Sequence, residues 1–243
     1  PPWAAALGGL GTAFVIAIGV YGMPTGLAVN SVAYGAAFGL FPICWIVFWA
    51  IVLYRLTLES GKFEIIKDNI GGLTGDRRMQ AMLIAFALGA FIEGSAGFGT
   101  PVAVAATMLV GLGFTRFYAA GICLLANTAP VAFGSIGIPI IALSGLTGYP
   151  VMELSGWVGS LCAPISLFIP AYLIWVMGGF RAVGGVLPAV AACGIAYAAT
   201  QYGVSNFIGP ELVDISSGLA GIVALVLLLL VWKPADEFHL EGE

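Results

Sequence analysis

The sequence predicts an all-α polytopic membrane protein in which a re-entrant helical hairpin is followed by a broken transmembrane helix. Of 243 residues, 60% are hydrophobic and 8% are charged, whereas a soluble domain is typically about 25% charged. Long apolar runs repeat along the chain, as a bilayer requires. The 35 glycines and 13 prolines indicate closely packed and interrupted helices. We therefore expect one integral membrane domain over residues 1–243.

Four or five apolar segments are long enough to cross a bilayer without interruption. They are Trp3–Val20, Gly35–Tyr54, Leu154–Met177, Val183–Gly203 and Ser217–Trp232. Two further segments are long but interrupted. The segment 79–114 is broken at EGSAGFGTP, and the segment 118–143 is broken at NTAP and marked again by Gly137 and Pro139.

Residues 55–78 form a linker rich in basic residues. They include Arg55, Lys62, Lys67, Arg77 and Arg78, and short loops rich in Lys and Arg stay cytoplasmic. Within this linker, KFEIIKDNI places Phe63, Ile66 and Ile70 on one helical face. This pattern fits an amphipathic helix on the membrane surface and equally a solvated linker helix, so both interpretations stay open.

The basic residues also indicate how the segment 79–114 lies in the membrane. If this segment crosses once, Arg116, Arg181 and Lys233 fall outside the cell. If it enters and returns to the same side, all eight basic residues become cytoplasmic, as the charge rule favours. The outer loops then hold only Glu153, Glu211 and Asp214.

The lengths of the two arms favour a re-entrant hairpin. The arms Met79–Ile92 and Val102–Phe114 each have about 14 residues and would reach roughly 20 Å, short of a hydrocarbon core of roughly 30 Å. An ordinary hairpin of two full spans would satisfy the charges but not these lengths.

The two interruptions predict an anion site near the middle of the membrane. Irregular backbone survives there only when it is buried in protein or lines a cavity, and the N-termini of half-helices carry partial positive charge. Pro101 suits the start of one half-helix, and the proline of NTAP suits the start of another. The predicted substrate-binding residues are Gly94, Ser95, Gly97, Gly99, Thr100, Asn127 and Thr128. The alternatives are that the glycines only pack helices and that Asn127 only caps one.

Glu93 is the predicted proton-coupling residue. A charged carboxylate at bilayer depth costs several kcal/mol, so such residues pair, line water or mark proton paths. Burial favours the protonated form of a carboxyl group. A neutral glutamic acid with a purely structural hydrogen bond is the alternative.

Metal, nucleotide and enzyme chemistry find little support in the sequence. The four cysteines include no C-x-x-C pair, so we expect neither a disulfide nor a metal site. The single histidine, His239, lies in the polar tail, which argues against a Ser-His dyad inside the membrane. No Lys-Ser/Thr follows the glycines, so they do not form a nucleotide loop. We expect no cofactor and no nucleic-acid partner.

The chain resembles the lactate permease family, which includes glycolate permeases. The resemblance rests on GAFIEGSAGFGTPVA, LVGLGF, YAAGICLLANTAPVAFGSIGIPI and SNFIGPEL, and extends from about Pro24 to the end of the sequence. Members are considerably longer, so the chain resembles an N-terminal half. They often have alanine where Ser95 and Thr100 stand, which favours backbone amides as ligands.

The resemblance implies uptake of 2-hydroxymonocarboxylates, such as lactate or glycolate, together with protons across the inner membrane of bacteria. It also implies a relationship to the ion-transporter superfamily, whose repeats each contain a re-entrant hairpin and a broken helix. Three alternatives stay open: sodium coupling through the tip carbonyls and Asn127, an intramembrane enzyme, and a structural membrane subunit. The last would not explain two interrupted segments with polar tips.

Overall fold

The computed structural model describes residues 2–61, 72–97, 99–234, 236 and 238. All regular structure in these ranges is helical, with no strand among the described residues, which confirms the all-α class. The predicted linker helix around Phe63, Ile66 and Ile70, and the single histidine, His239, lie outside the described residues.

The chain divides into two compact units, Pro1–Trp49 and Ala50–Glu243. The first helices are α1 (Pro2–Gly19), α2 (Thr25–Phe38) and α3 (Cys44–Glu59). The sequence did not predict α2, and the uninterrupted span predicted over Gly35–Tyr54 is wrong. The backbone leaves the helical region at Phe41 (φ −145°, ψ 109°), because a residue before proline is pushed towards an extended conformation.

The second unit contains the two interrupted segments and three long helices, α8 to α10, which we call the scaffold. Its helices are α4 (Arg77–Ala96), α5 (Thr100–Gly111), α6 (Arg116–Ala126), α7 (Gly134–Thr147), α8 (Val151–Gly185), α9 (Leu187–Phe207) and α10 (Val213–Val231). Among the described residues, three helices are long and apolar enough to cross a membrane, and the bent pair of α6 and α7 would make a fourth. The protein is therefore a multi-pass membrane protein.

The helices α4 and α5 pack against each other as a helical hairpin; that this hairpin is re-entrant stays a prediction. Arg77, at the start of α4, donates to the carbonyl oxygen of Leu112, just after α5, and its guanidinium lies 5.3 Å from the centre of the Phe114 ring. The hairpin thus begins and ends at the same end of the unit. However, α4 has 20 residues, about 30 Å, so the predicted length of 14 residues holds only for the second arm, which has 12.

The predicted broken helix is confirmed as α6 and α7, which bend by 67° around residues 127–130. The proline of the first break, Pro130, is followed by a 3₁₀ turn at Val131–Phe133. The backbone at Ser135, Ile136 and Gly137 is left-handed (φ 53°, 57° and 73°). The prediction that a half-helix starts at Pro130 is therefore wrong: right-handed helix resumes only after Gly137.

The scaffold helix α10 packs against the first arm of the hairpin with little space between the backbones. A Cβ atom added at Gly94 would lie 2.7 Å from the Ile215 nitrogen, and one at Gly218 would lie 2.6 Å from the Phe91 nitrogen. Small residues permit such approaches between membrane helices. With α5 and α9 also against it, α4 is buried on most of its surface.

Five of the described basic residues gather at one end of the second unit. Buried Arg78 pairs with Asp76 (2.6 Å) and donates to the carbonyl oxygens of Ala182 (3.1 Å) and Asp236 (2.8 Å). Tyr118 donates to the carbonyl oxygen of Met177 (3.4 Å). These contacts bring together the ends that carry Arg77, Arg78, Arg116, Arg181 and Lys233. This is the arrangement that the charge rule predicted; that this end is cytoplasmic stays a prediction.

Candidate functional site

The tip of the hairpin (residues 93–101) meets the break of the second interrupted segment. The Ser135 hydroxyl donates to the Ala96 carbonyl oxygen (3.0 Å). A Cβ atom at Gly97 would lie 1.8 Å from the Ser135 Oγ atom, and the Gly97 backbone has φ 64° and ψ −160°. Gly97 is therefore required both for its conformation and for the close approach.

A cavity of about 330 Å³ lies at this meeting point. Its size is at the lower end of the range for small-molecule sites. It is lined by Glu93, Gly99, Asn127, Val131, Gly134, Ser135, Ile138 and Pro139. We call it the tip cavity. Polar groups from both interrupted segments thus face one space together with apolar side chains from the second segment.

Glu93 is a buried carboxyl group (5% exposed) in the wall of the tip cavity. The Gly99 amide and the Asn127 side chain interact with it. A Cβ atom at Gly134 would lie 2.8 Å from its Oε1 atom. Its Oε2 atom has no hydrogen-bond partner in the structure, and neither has the Oδ1 atom of Asn127. Two buried acceptors therefore remain available beside the cavity.

The backbone around the tip cavity is unusual in two places. Gly99 precedes α5 in a left-handed conformation (φ 75°), so α5 begins at the cavity and directs the partial positive charge of its N-terminus to that region. On the other side, Ser135 and Ile136 are left-handed although neither is glycine. Such residues cost about 1–3 kcal/mol each and cluster at functional sites.

The structure brings only some of the predicted site residues together. Glu93, Gly99 and Asn127 line the tip cavity, and Gly97 contacts its wall at Ser135. The roles assigned to these residues stay predictions.

The other predicted site residues lie elsewhere or make local contacts. Gly94 packs against α10, Thr100 lies in the first turn of α5, and Ser95 and Thr128 donate to the carbonyl oxygens of Phe91 (2.9 Å) and Leu125 (2.8 Å). Ser95 and Thr128 are exposed.

Sequence reasoning missed a buried polar group behind Glu93. Asp214 was assigned to an outer loop, and this is wrong: it lies in the first turn of α10 and is 1% exposed. The Tyr197 hydroxyl donates to its Oδ1 atom (3.4 Å), and Gln201, one turn later, donates to the Ala129 carbonyl oxygen (3.5 Å). An acidic residue directly before a long apolar run was the available signal.

The L-lactate permease family model matches residues 1–243 of the chain. The chain belongs to the L-lactate permease family. The match includes the residues before Pro24, where the sequence resemblance was not recognised. The family and its curated relatives are permeases, not enzymes.

Three relatives from this permease family illustrate the range of similarity. The chain is 52% identical to the L-lactate permease of Bacillus subtilis over 241 residues, 99% of this chain and 43% of that protein. It is 45% identical to the glycolate permease GlcA of Escherichia coli over 222 residues, which are 91% of this chain and 40% of that protein. It is 43% identical to the L-lactate permease of Escherichia coli over 227 residues, 93% and 41%. The chain thus spans less than half the length of these relatives. No solved structure matches it significantly.

Proposed function

We propose that the whole protein is a secondary transporter that takes up small 2-hydroxymonocarboxylates, such as lactate or glycolate, together with protons across a bacterial inner membrane. The observation that carries the proposal is Glu93, a buried carboxyl group with an unpartnered oxygen, in the wall of a cavity between two interrupted segments. Membership of a family whose relatives are named lactate and glycolate permeases supports this substrate class.

The tip cavity offers complementary groups for a small hydroxy acid. The N-terminus of α5 at Gly99 and the Asn127 side-chain amide are suited to the substrate carboxylate. Val131, Ile138 and Pro139 provide an apolar wall for a short hydrocarbon chain. The complete site would include groups from the remainder of the protein.

Glu93 would couple the substrate to a proton through electrostatics. A carboxylate substrate near an ionised Glu93 is repelled by it, so protonation of Glu93 and binding of the anion favour each other. Anion and proton then cross as a neutral pair. This avoids moving net charge through a region of low dielectric constant.

The test is the variant Glu93→Gln, which mimics the protonated form, in the whole protein reconstituted into vesicles. We expect it to bind labelled lactate and to exchange it across the membrane, but to lose net uptake driven by an imposed pH gradient. Glu153→Gln is the matched control, because Glu153 is exposed at the start of α8 and its replacement should leave uptake unchanged.

The same vesicles distinguish the coupling ion. If uptake follows an imposed sodium gradient while the pH is equal on both sides, the coupling ion is sodium and not the proton. Accumulation by Glu93→Gln at the level of the unmodified protein, under a pH gradient alone, would rule out the role of Glu93.

A further inference from the structure

We propose that the connection between α9 and α10 (residues 208–212) is a positioning element for the tip cavity. Pro210 in this connection holds Gly137 and its neighbours in their left-handed conformation, and the held backbone fixes one wall of the cavity. The connection lies in the motif SNFIGPEL, none of whose residues lines the tip cavity. The first half of the proposal stands on contacts in the structure. The second half, an effect on substrate binding, rests on the proposed function.

The connection packs against the broken helix at Gly137. A Cβ atom added at Gly137 would lie 2.9 Å from both the carbonyl carbon and the Cβ atom of Pro210, and 3.0 Å from its carbonyl oxygen. Pro210 is buried. Gly137 is itself left-handed (φ 73°), a conformation that glycine adopts at no steric cost. Glycine at position 137 therefore serves both the backbone conformation and the contact with Pro210.

The connection is anchored independently of the broken helix. The amides of Ile208 and Gly209 both donate to the carbonyl oxygen of Val204 in the last turn of α9 (2.9 and 3.0 Å). The ring of Pro210 fixes its own φ angle. A 3₁₀ turn at Pro210–Leu212 then leads directly into α10 at Val213. The connection thus presents a short and constrained surface to the broken helix.

The turn that Pro210 contacts requires support from its surroundings. Ser135 and Ile136, directly before Gly137, are left-handed although they carry side chains, and such conformations persist only where the surrounding structure determines them. The hairpin supplies one restraint, because the Ser135 hydroxyl donates to the Ala96 carbonyl oxygen (3.0 Å). The contact between Pro210 and Gly137 supplies another, two residues later. Together they hold the turn at both of its ends.

The position of this turn determines where one wall of the tip cavity lies. Ser135 begins the turn, Ile138 and Pro139 follow it, and all three residues line the cavity. A change of φ and ψ at Gly137 would move Ile138 and Pro139 relative to Ser135. Pro210 would thus position part of the apolar wall without contacting the substrate.

Hydrogen exchange of the purified whole protein in detergent tests the contact without any substrate. We expect Pro210→Gly to accelerate exchange of the amides in residues 135–141 by about fivefold or more, because the connection loses its fixed φ angle and a contact atom. The amides of residues 187–197, in the first half of α9, should exchange as in the unmodified protein. Unchanged exchange in residues 135–141 would overturn the proposal.

A second comparison uses two left-handed glycines that differ in their surroundings. Gly148 (φ 76°, ψ 1°) matches Gly137 (φ 73°, ψ 15°) in conformation, but no atom lies within 4 Å of a Cβ atom placed at Gly148. Alanine therefore introduces similar backbone strain at both positions and a clash with Pro210 only at position 137. We expect Gly137→Ala to weaken lactate binding and Gly148→Ala to bind lactate like the unmodified protein. Equal affinities would show that the second half of the proposal is wrong.

The double variant of Gly137→Ala and Pro210→Gly shows whether the two positions act on each other. Pro210→Gly removes the Cβ atom that the new methyl group meets and allows the connection to move. The double variant should therefore bind lactate about twofold or more better than the product of the two single losses predicts. Gly148→Ala combined with Pro210→Gly should show independent effects. Independent effects at position 137 as well would contradict the contact.

Failure of the proposed function gives a different result. If the unmodified protein binds no lactate, the proposed function is wrong, and hydrogen exchange still decides whether Pro210 holds the turn. If Pro210→Gly does not fold, as judged by size-exclusion chromatography, exchange in Gly137→Ala against Gly148→Ala decides the same question. Faster exchange of residues 135–141 only in Gly137→Ala supports the contact, and equal exchange in the two variants overturns it.

Discussion

Replacement of Gly97 by alanine should destabilise the junction between the hairpin tip and the broken helix. The Gly97 backbone (φ 64°, ψ −160°) lies in a region that is essentially restricted to glycine, so any side chain there costs about 1–3 kcal/mol. The new Cβ atom would also lie 1.8 Å from the Ser135 Oγ atom. Ser135 must then move and lose its hydrogen bond to Ala96, worth about 0.5–1.5 kcal/mol. Together these costs are about 1.5–4.5 kcal/mol.

The assay is unfolding of the purified whole protein in detergent, with lactate binding measured on the same samples. Gly39→Ala is the matched control, because Gly39 has helical angles and open space around its position. It should change the free energy of unfolding by less than about 1 kcal/mol. Gly97→Ala should also weaken lactate binding, since Ser135 lines the tip cavity.

A double variant isolates the clash from the backbone strain. Adding Ser135→Gly to Gly97→Ala removes the Oγ and Cβ atoms that the new methyl group meets. The double variant should therefore be more stable than additivity predicts, by about 1 kcal/mol. If Gly97→Ala unfolds and binds lactate like Gly39→Ala, the close contact at the tip does not exist, and the description of the site fails with it.

Three further predictions concern the cavity, the basic end and the topology. Asn127→Ala should weaken lactate binding by about 1–3 kcal/mol in equilibrium binding measurements. The control Asn206→Ala should bind lactate normally, because the Asn206 side chain donates to Tyr202 in its own helix. Equal lactate affinities of the two variants would show that Asn127 is not part of the site. Arg78→Lys should destabilise the protein nearly as much as Arg78→Ala, by about 3–5 kcal/mol in unfolding measurements. Lysine cannot reproduce the several hydrogen bonds that the planar guanidinium group donates. If lysine restored full stability, the positive charge alone would account for the role of Arg78. A cysteine at position 116 should react with impermeant thiol reagents from the cytoplasm and one at position 147 from outside, and labelling of position 116 from outside would refute the hairpin.

Much of the fold followed from features that act over many residues. Apolar length and the distribution of basic residues predicted the hairpin, the broken helix and the gathering of Arg116, Arg181 and Lys233 at one end. Local backbone features were harder to anticipate. The helix α4 runs to Ala96 because glycines in a buried membrane helix are tolerated when neighbouring helices cover them. The predicted arm therefore ended too early, at Ile92.

Site residues could be predicted from the sequence only where a polar side chain or glycine lies within an interruption of an apolar segment. Glu93, Gly99 and Asn127 lie within the two breaks and were found from the sequence. Asp214 was missed because the residue it packs against, Gly94, lies more than a hundred positions earlier in the chain, so only tertiary packing explains its burial. The left-handed turn at Ser135 and Ile136 was missed because these residue types disfavour that conformation.

The glycines between α4 and α10 determine which parts of the second unit can slide. At Gly94 and Gly218 the backbone of one helix touches atoms of the other directly, so there is no intervening layer of side chains that could change rotamers to permit a shift. The close contact between the two helices thus resists sliding of one along the other. We therefore expect a rearrangement that opens the tip cavity to leave α4 and α10 together and to move the broken helix, with the left-handed turn at Ser135–Gly137 as its pivot. Glu93 and Asp214 would then stay in place on one wall while the kinked segment opposite them moves.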